Sequence, residues 1–179
     1  MQTNYKVLSN NIVLEVKIRF DDLDIPYNLW FSNVTSSQYE CIGLGKSASG
    51  YAVAYSRTEG KEVEPLYSNY ILEENVDYVI KAVFDSTTQT KELYLNGELQ
   101  KTKLYNSEMS KNTQPFLLFA TRENVVLKAK IYWAKVYDNG ELALHLIPCV
   151  RNHDNVVGML DVVSLSFYHS ETDNEFTGG

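Results

Sequence analysis

The sequence predicts an all-β fold, a two-sheet antiparallel β-sandwich, and three observations carry that expectation. Apolar and polar residues alternate along several short runs, the period-two signature of a strand with one face on a core and one toward water. Two such runs lead into Asn-Gly pairs, Asn96-Gly97 and Asn139-Gly140. Both central positions of a tight type I′ hairpin turn need positive φ, and Asn-Gly supplies them. No window makes a convincing amphipathic helix. The 179 residues are enough for one domain with a substantial core and few for two, so one domain over residues 1–179 is expected.

The elements follow in order. In Ile12–Phe20, Ile12, Leu14, Val16, Ile18 and Phe20 alternate with Val13, Glu15, Lys17 and Arg19. Tyr27–Phe31 is a short aromatic-rich run after Pro26, and the polar stretch Ser36–Ser49 reads as a loop. Gly50–Ser56 alternates with Tyr51, Val53 and Tyr55 on one side, and Gly60–Asn69 reads as a second loop. Leu72, Val76, Val79, Ile80 and Val83 have helical spacing. However, Tyr78, Ile80, Ala82 and Phe84 alternate within a β-branched stretch, which favours a strand. Glu92–Leu95 precedes the first Asn-Gly pair. Asn106–Thr113 reads as a third loop, and Phe116–Ala120 is a continuous apolar run expected to be covered on both faces. Lys128–Tyr137 leads into the second Asn-Gly pair; Leu142–Ile147, Val156–Leu160 and Leu165–Tyr168 complete the series. Many short strands separated by turns make a sandwich or a barrel.

Composition bounds the partners. A net charge of −7 without a basic cluster repels phosphate, which disfavours nucleic acid and anionic membrane surfaces. No apolar run approaches the roughly 20 residues that span a bilayer. The N-terminal MQTNYKVLSNN lacks the charged-then-apolar pattern of a secretory signal. Thirteen Tyr fit pleated, half-buried surfaces, and Tyr also serves at binding surfaces through its apolar body and polar tip. Cys41 and Cys149 match no metal spacing and read as two buried free thiols. Asn33-Val34-Thr35 is a glycosylation triplet of a kind that arises easily by chance.

The last fifty or so residues carry a pattern. Ala129-Lys130-Ile131-Tyr132-Trp133-Ala134-Lys135-Val136-Tyr137-Asp138-Asn139-Gly140 is followed by Leu142 and Ile147-Pro148-Cys149. Asn155-Val156-Val157-Gly158-Met159-Leu160-Asp161, Phe167-Tyr168 and Phe176-Thr177-Gly178-Gly179 come next. This resembles the C-terminal half of concanavalin A-like, laminin-G-like domains, of the type found in bacteriophage structural proteins and bacterial surface proteins. Leu93-Tyr94-Leu95-Asn96-Gly97 is similar to a hairpin of the same domains. The resemblance covers residues 129–168 closely and 12–128 only in strand order and that hairpin. It implies a concanavalin A-like jelly roll, with a first strand that is short here. Pro148 is expected to end a strand and Cys149 to be a small buried hydrophobe. Gly158 is expected at a close backbone approach or a positive φ. Where the family has Asn-Gly before the last strand, this chain has Ser164-Leu165, and Leu tolerates left-handed geometry poorly. The last hairpin is therefore expected to differ in length or turn type, and Thr172-Asp173-Asn174-Glu175 replaces a glycine-rich final turn.

Catalytic constellations are missing. His145, His153 and His169 are not at metal-ligand spacing, and the chain has neither a Gly-x-Ser-x-Gly elbow nor a phosphate-cradling glycine loop. A glycosidase of this fold needs two carboxylates across the scissile bond. The nearest candidate, Glu62-Val63-Glu64 before Pro65, reads as a solvated charge cluster. No cofactor or metal is expected. Calcium would draw on loop oxygens, and Asp138-Asn139 and Asp154-Asn155 are the pairs to inspect, although turns explain both.

The chain is therefore expected to be no enzyme. Sugars stack their C–H faces on aromatic rings, so outward aromatics on strands mark a glycan site. Strict alternation puts Tyr132, Ala134 and Val136 on one face of their strand and Ile131, Trp133, Lys135 and Tyr137 on the other. The resembling family varies at the Trp133 position, which implies a surface residue. Trp133 is the leading candidate ligand residue, with Trp30, Tyr51 and Tyr55 as companions. The resemblance implies a non-catalytic module of a bacteriophage virion, in a tail, baseplate, fibre or head decoration, with a host-glycan surface. The alternative is a carbohydrate-binding or adhesin domain of a bacterial surface protein, and a glycoside hydrolase ranks third. Expected partners are other virion or surface proteins and cell-surface polysaccharide, with homo-oligomerisation consistent with either setting.

Overall fold

A computed structural model describes residues 1–24, 28–33, 41–57, 65–104, 114–118 and 128–170. Every regular element among them is a strand: β1 Asn11–Phe20, β2 Asn28–Ser32, β3 Cys41–Lys46, β4 Tyr51–Arg57, β5 Leu66–Ile71, β6 Asp77–Asp85, β7 Thr90–Leu95, β8 Glu98–Leu104, β9 Leu117–Leu118, β10 Ala129–Asp138, β11 Glu141–Arg151, β12 Val156–Asp161 and β13 Ser166–His169. They form an eight-stranded sheet, β13-β12-β11-β10-β1-β6-β7-β8, and a five-stranded sheet, β5-β4-β3-β2-β9. All pairings are antiparallel. No described helix is long and apolar enough to cross a membrane.

The alternation of β1 becomes the centre of the core. Ile12, Leu14, Val16, Ile18 and Phe20 are each 0% exposed, and each such burial contributes about 1.5–3 kcal/mol. β6 adds Tyr78, Ile80, Ala82 and Phe84; β10 and β11 add Ile131, Ala134, Val136, Leu144 and Leu146. The other sheet answers with Trp30, Phe31, Ile42, Leu44, Ala52, Ala54, Leu66 and Leu118. Two lysines share this interior. Lys91 Nζ donates to Ser56 Oγ at 3.0 Å, joining the two sheets, and Lys46 Nζ donates to the Leu23 carbonyl at 2.6 Å. Burial holds the Lys46 ammonium below its ordinary pKa, with Asp24 and Asp22 pulling the other way.

Both Asn-Gly hairpins form as expected, with φ of 51° and 83° at Asn96 and Gly97 and again at Asn139 and Gly140. Three further hairpins share a four-residue loop whose last member is left-handed: Gln89 (φ 55°), Asn155 (58°) and Leu165 (59°). Leu165 thus takes the geometry it was expected to avoid. Asp161 offsets the cost by accepting from Val163 N, Ser164 N and Ser164 Oγ within the loop, and from His145 N across it. Asp85 repeats the local pattern with Thr87 N, Thr88 N and Thr88 Oγ1.

Several expectations need correction. β3 lies within, and β5 overlaps, stretches whose polarity marked them as loops. In β3, Ile42, Leu44 and Lys46 face inward, and Gly43 is required because a Cβ there would stand 2.5 Å from Ser32 Cβ. Pro148 does not end its strand. β10 pairing stops at Leu146, so β11 beyond it is flanked by β12 alone, an edge position that accepts proline. Cys149 is half-buried and Cys41 buried, and the two form no disulfide. Gly158 is a close approach, since a Cβ would meet the Tyr168 carbonyl at 2.4 Å. Asn33 of the glycosylation triplet is 1% exposed, and its Oδ1 accepts from Ile42 N. Residues 171–179 and the loop read at Asn106–Thr113 fall outside the described residues.

Candidate functional site

Irregular pairing, not alternation, decides which aromatic rings face outward. Between β1 and β10, Lys17 pairs with Trp133 and Ile18 with Ile131, leaving Tyr132 as an extra residue in β10. Such a bulge reverses the phase of everything on one side of it. Ile131 therefore joins Ala134 and Val136 in the core, and Tyr132 and Trp133 lie on the outer side, both half-buried. The strict partition of this strand is corrected accordingly: Ile131 and Tyr132 exchange faces.

A second irregularity acts in the opposite sense. In β2, Leu29 pairs with Gly45 and Phe31 with Leu44, so Trp30 is the extra residue and both Trp30 and Phe31 turn inward. Trp30 is 1% exposed and packs edge-on against Phe20 at 5.6 Å between ring centroids. It belongs to the core and is withdrawn as a ligand residue.

Tyr51 and Tyr55 alternate with the core residues Ala52 and Ala54, which places them on the outer face of the five-stranded sheet, half-buried. Trp133 is on the outer face of the other sheet. The four candidates thus occupy the interior and two opposite outer faces, and they do not converge.

What converges around Trp133 is a set of neighbours that strict alternation hid. Tyr132 Oη donates to Asp77 Oδ1 at 2.8 Å, and Lys17 Nζ lies 3.7 Å from Asp77 Oδ2. The hydrogen bond to Asp77, together with desolvation and the Asp77 charge, pushes the Tyr132 phenol up. Lys17 Nζ stands 4.7 Å from the Tyr132 ring centroid and Lys130 Nζ 5.7 Å; Lys135 Nζ stands 4.4 Å from the Trp133 ring. Two strands away, Lys81 Nζ lies 4.1 Å over Tyr94, whose hydroxyl donates to Glu92 Oε2. Each cation over a ring face contributes about 0.5–1 kcal/mol at an exposed site. His145 pairs with Lys135 on the same face; burial first, then the Lys135 charge, holds its imidazole below the usual range against the pull of Asp161. The arrangement presents two adjacent aromatic rings bordered by ammonium groups and by the Asp77 carboxylate, a surface that can stack an apolar face and hydrogen-bond at its rim.

The remaining sequence candidates are otherwise engaged. Asp138 accepts from Tyr5 Oη and from Leu8 N, tying the N-terminal segment to β10. Asp154 is held by Arg151 at 2.6 Å. Among the described residues no three His, Cys, Asp or Glu side chains gather to hold a metal ion. Glu62 and Glu64 lie outside the described residues.

No protein-family model matches the sequence, and no curated protein matches it. Solved structures do. A candidate carbohydrate-binding protein from Bacteroides ovatus superposes with a TM-score of 0.63 at 13% identity, over 88% of this chain and 51% of that one. Mouse laminin α1 chain domains LG4-5 give 0.57 at 12% identity, over 79% and 39%. The CBM40 module of a Ruminococcus gnavus IT-sialidase, bound to α2,3-sialyllactose, gives 0.55 at 14% identity, over 72% and 76%. The chain thus spans about half of the Bacteroides chain, less than half of the laminin chain and three-quarters of the module. With two antiparallel sheets and these neighbours, its fold is the concanavalin A-like, laminin-G-like jelly roll that its C-terminal residues resemble.

Proposed function

We propose that this chain is a non-catalytic carbohydrate-binding module whose ligand lies on the outer face of the eight-stranded sheet. The observation that carries the reading is the β10 bulge, which sets Tyr132 and Trp133 side by side on that face. Two adjacent rings match the apolar C–H faces of consecutive sugars, and Asp77, Lys17 and Lys135 supply polar contacts at the rim. The sialyllactose-bound module and the candidate carbohydrate-binding protein support it at the level of fold. Calcium has no part in this reading.

A glycan microarray tests it. Wild-type protein is expected to bind a defined set of glycans, with at least a tenfold loss for Trp133→Ala and for Tyr132→Ala at unchanged thermal stability. Binding that is indifferent to both substitutions overturns the assignment of the face, and turnover of a bound glycan overturns the non-catalytic reading. A place in a virion, the first expectation from the sequence, rests on the C-terminal resemblance together with the lack of a secretory-signal pattern and of catalytic constellations, and the neighbours named above lend it nothing. We keep virion and bacterial surface as two settings for one binding module, which the genes flanking the coding sequence distinguish.

A further inference from the structure

The outer face of β1, β6 and β10 has a charge that the whole chain does not share. Register places Glu15, Lys17 and Arg19 of β1, Asp77, Lys81 and Asp85 of β6, and Lys130 and Lys135 of β10 on it. Five cations stand against three carboxylates there, in a chain whose net charge is −7. The carboxylates are also distributed unevenly. Asp77 is bound to Tyr132 and Lys17, Asp85 to its own turn, and Arg19 to Asp21 just beyond β1, while Glu15 stands across from Lys135 and Lys81 in register. Lys130 and Lys135 reach no carboxylate among the described residues within ion-pair distance; their ammonium groups rest against the Tyr132 and Trp133 rings instead.

A ring that already carries an ammonium group is a poor platform for a neutral sugar, which must displace the cation from the ring and gives it no charge in exchange. An anionic sugar removes that conflict. Its charged group receives the ammonium as the lysine swings aside, and its C–H face takes the vacated ring. We propose that the Tyr132–Trp133 platform selects acidic polysaccharide, with Lys130 and Lys135 as the anion contacts and the two rings as the stacking surface. The inference rests on the carbohydrate-binding reading of the same face and adds the ligand class to it.

Affinity electrophoresis of the whole chain separates the possibilities. The probes are polygalacturonate, its fully methyl-esterified form, dextran, dextran sulfate and poly-L-glutamate. The expected result is retardation by polygalacturonate, by dextran sulfate or by both, and none by the methyl ester or by dextran. Which polyanion acts identifies carboxylate or sulfate as the charged group. Retardation should fall at least fivefold in the Lys130→Gln/Lys135→Gln double variant, in Trp133→Ala, and on raising salt from about 50 to 500 mM, since exposed charges are screened over about 10 Å at 0.1 M and 3 Å at 1 M. Equal retardation by the acid and its ester, lost with Trp133→Ala but kept in the lysine variant, overturns the inference and leaves a neutral-glycan module. Equal retardation by poly-L-glutamate, unaffected by Trp133→Ala, overturns it in favour of charge alone. Retardation by none of the probes overturns it, and a blank microarray beside it removes the carbohydrate reading as well. Circular dichroism of each variant confirms that the lysine and tryptophan changes leave the fold intact.

Discussion

At the scale of single residues, Leu165 and Asp161 show a local conflict and its local remedy. Leu165 is left-handed and 78% exposed, so no packing repays its geometry. A left-handed non-glycine residue costs about 1–2 kcal/mol, and glycine adds back about 0.5–1 kcal/mol of unfolded-chain entropy. Leu165→Gly is therefore expected to raise stability by about 0.5–1 kcal/mol in urea denaturation; a lowered midpoint would show that the leucine contributes something else. Asp161 is 2% exposed and accepts hydrogen bonds from three backbone amides and one hydroxyl. Its loss leaves those donors to find water or remain unpaired, so Asp161→Ala should cost about 2–4 kcal/mol, read from the same titration. The sequence showed that Leu165 was anomalous, but the physical inference was inverted: the aspartate at the head of the turn fixes its length more firmly than the leucine resists it.

Among the elements, the irregular pairings do most to separate expectation from structure. Period-two patterns revealed β1, β4, β6 and β10 because one face of each packs in the core and the other is mostly half-buried. A bulge leaves no compositional mark, so the inward turn of Trp30 and the outward turn of Tyr132 were not legible. β3 was hidden by its glycines, of which Gly43 is kept small by the neighbouring strand. One irregularity also joins the sheets. Between β7 and β8, Leu93 pairs with Lys101 and Tyr94 with Leu99, leaving Gln100 as the extra residue. Gln100 reaches β5, where its Oε1 accepts from Asn69 N and its carbonyl from Asn69 Nδ2. Gln100→Ala should lower stability by about 1–2 kcal/mol. A double-mutant cycle with Asn69→Ala should be near additive, because each side chain bonds the other residue's backbone and the two bonds are lost independently; a Gln100→Ala variant as stable as wild type would mean the two edges are held by packing instead. Deletion of Tyr132 is expected to make the β1–β10 ladder regular, with a native-like circular dichroism spectrum and glycan binding reduced as in Tyr132→Ala.

For the molecule as a whole, carboxylates set the response to acid. Asp22, Asp85 and Asp138 are held below the ordinary 3.8, and Asp154 down to about 2. Each has its own cause. The Asp24 backbone amide and Lys128 hold Asp22, the Thr88 hydroxyl leads at Asp85, and the Arg151 hydrogen bond leads at Asp154. At Asp138 burial raises the pKa, and hydrogen bonds from Ser9, Tyr5 and the Leu8 and Ser9 amides outweigh it. A depressed folded-state pKa means that the unfolded chain binds protons first as pH falls. The stabilisation is complete above about pH 5 and is lost progressively between about pH 4 and 2. Thermal midpoints measured over that range should fall steadily, and Asp138→Asn should flatten the decline; an unchanged slope would remove Asp138 from the account. The sandwich itself was legible in the Asn-Gly hairpins and in the alternation of β1. The proposed binding face was legible only in Trp133, because the lysines and Tyr132 meet that residue through register across β1 and β10.

The position of β1 has a further consequence, for how the chain reaches this state. β1 is a central strand whose two neighbours lie far along the chain, β6 at residues 77–85 and β10 at 129–138. During synthesis its five large apolar side chains emerge early, and its second ladder cannot form until residue 138 has left the ribosome. Long-range antiparallel pairing is slow because the intervening chain must be ordered before any contact rewards it. For that interval β1 is an incomplete sheet centre with an open edge, the kind of surface through which nascent chains associate. A strand at the centre of the finished core is thus a vulnerable segment of the unfinished one, and refolding yield should fall as protein concentration rises.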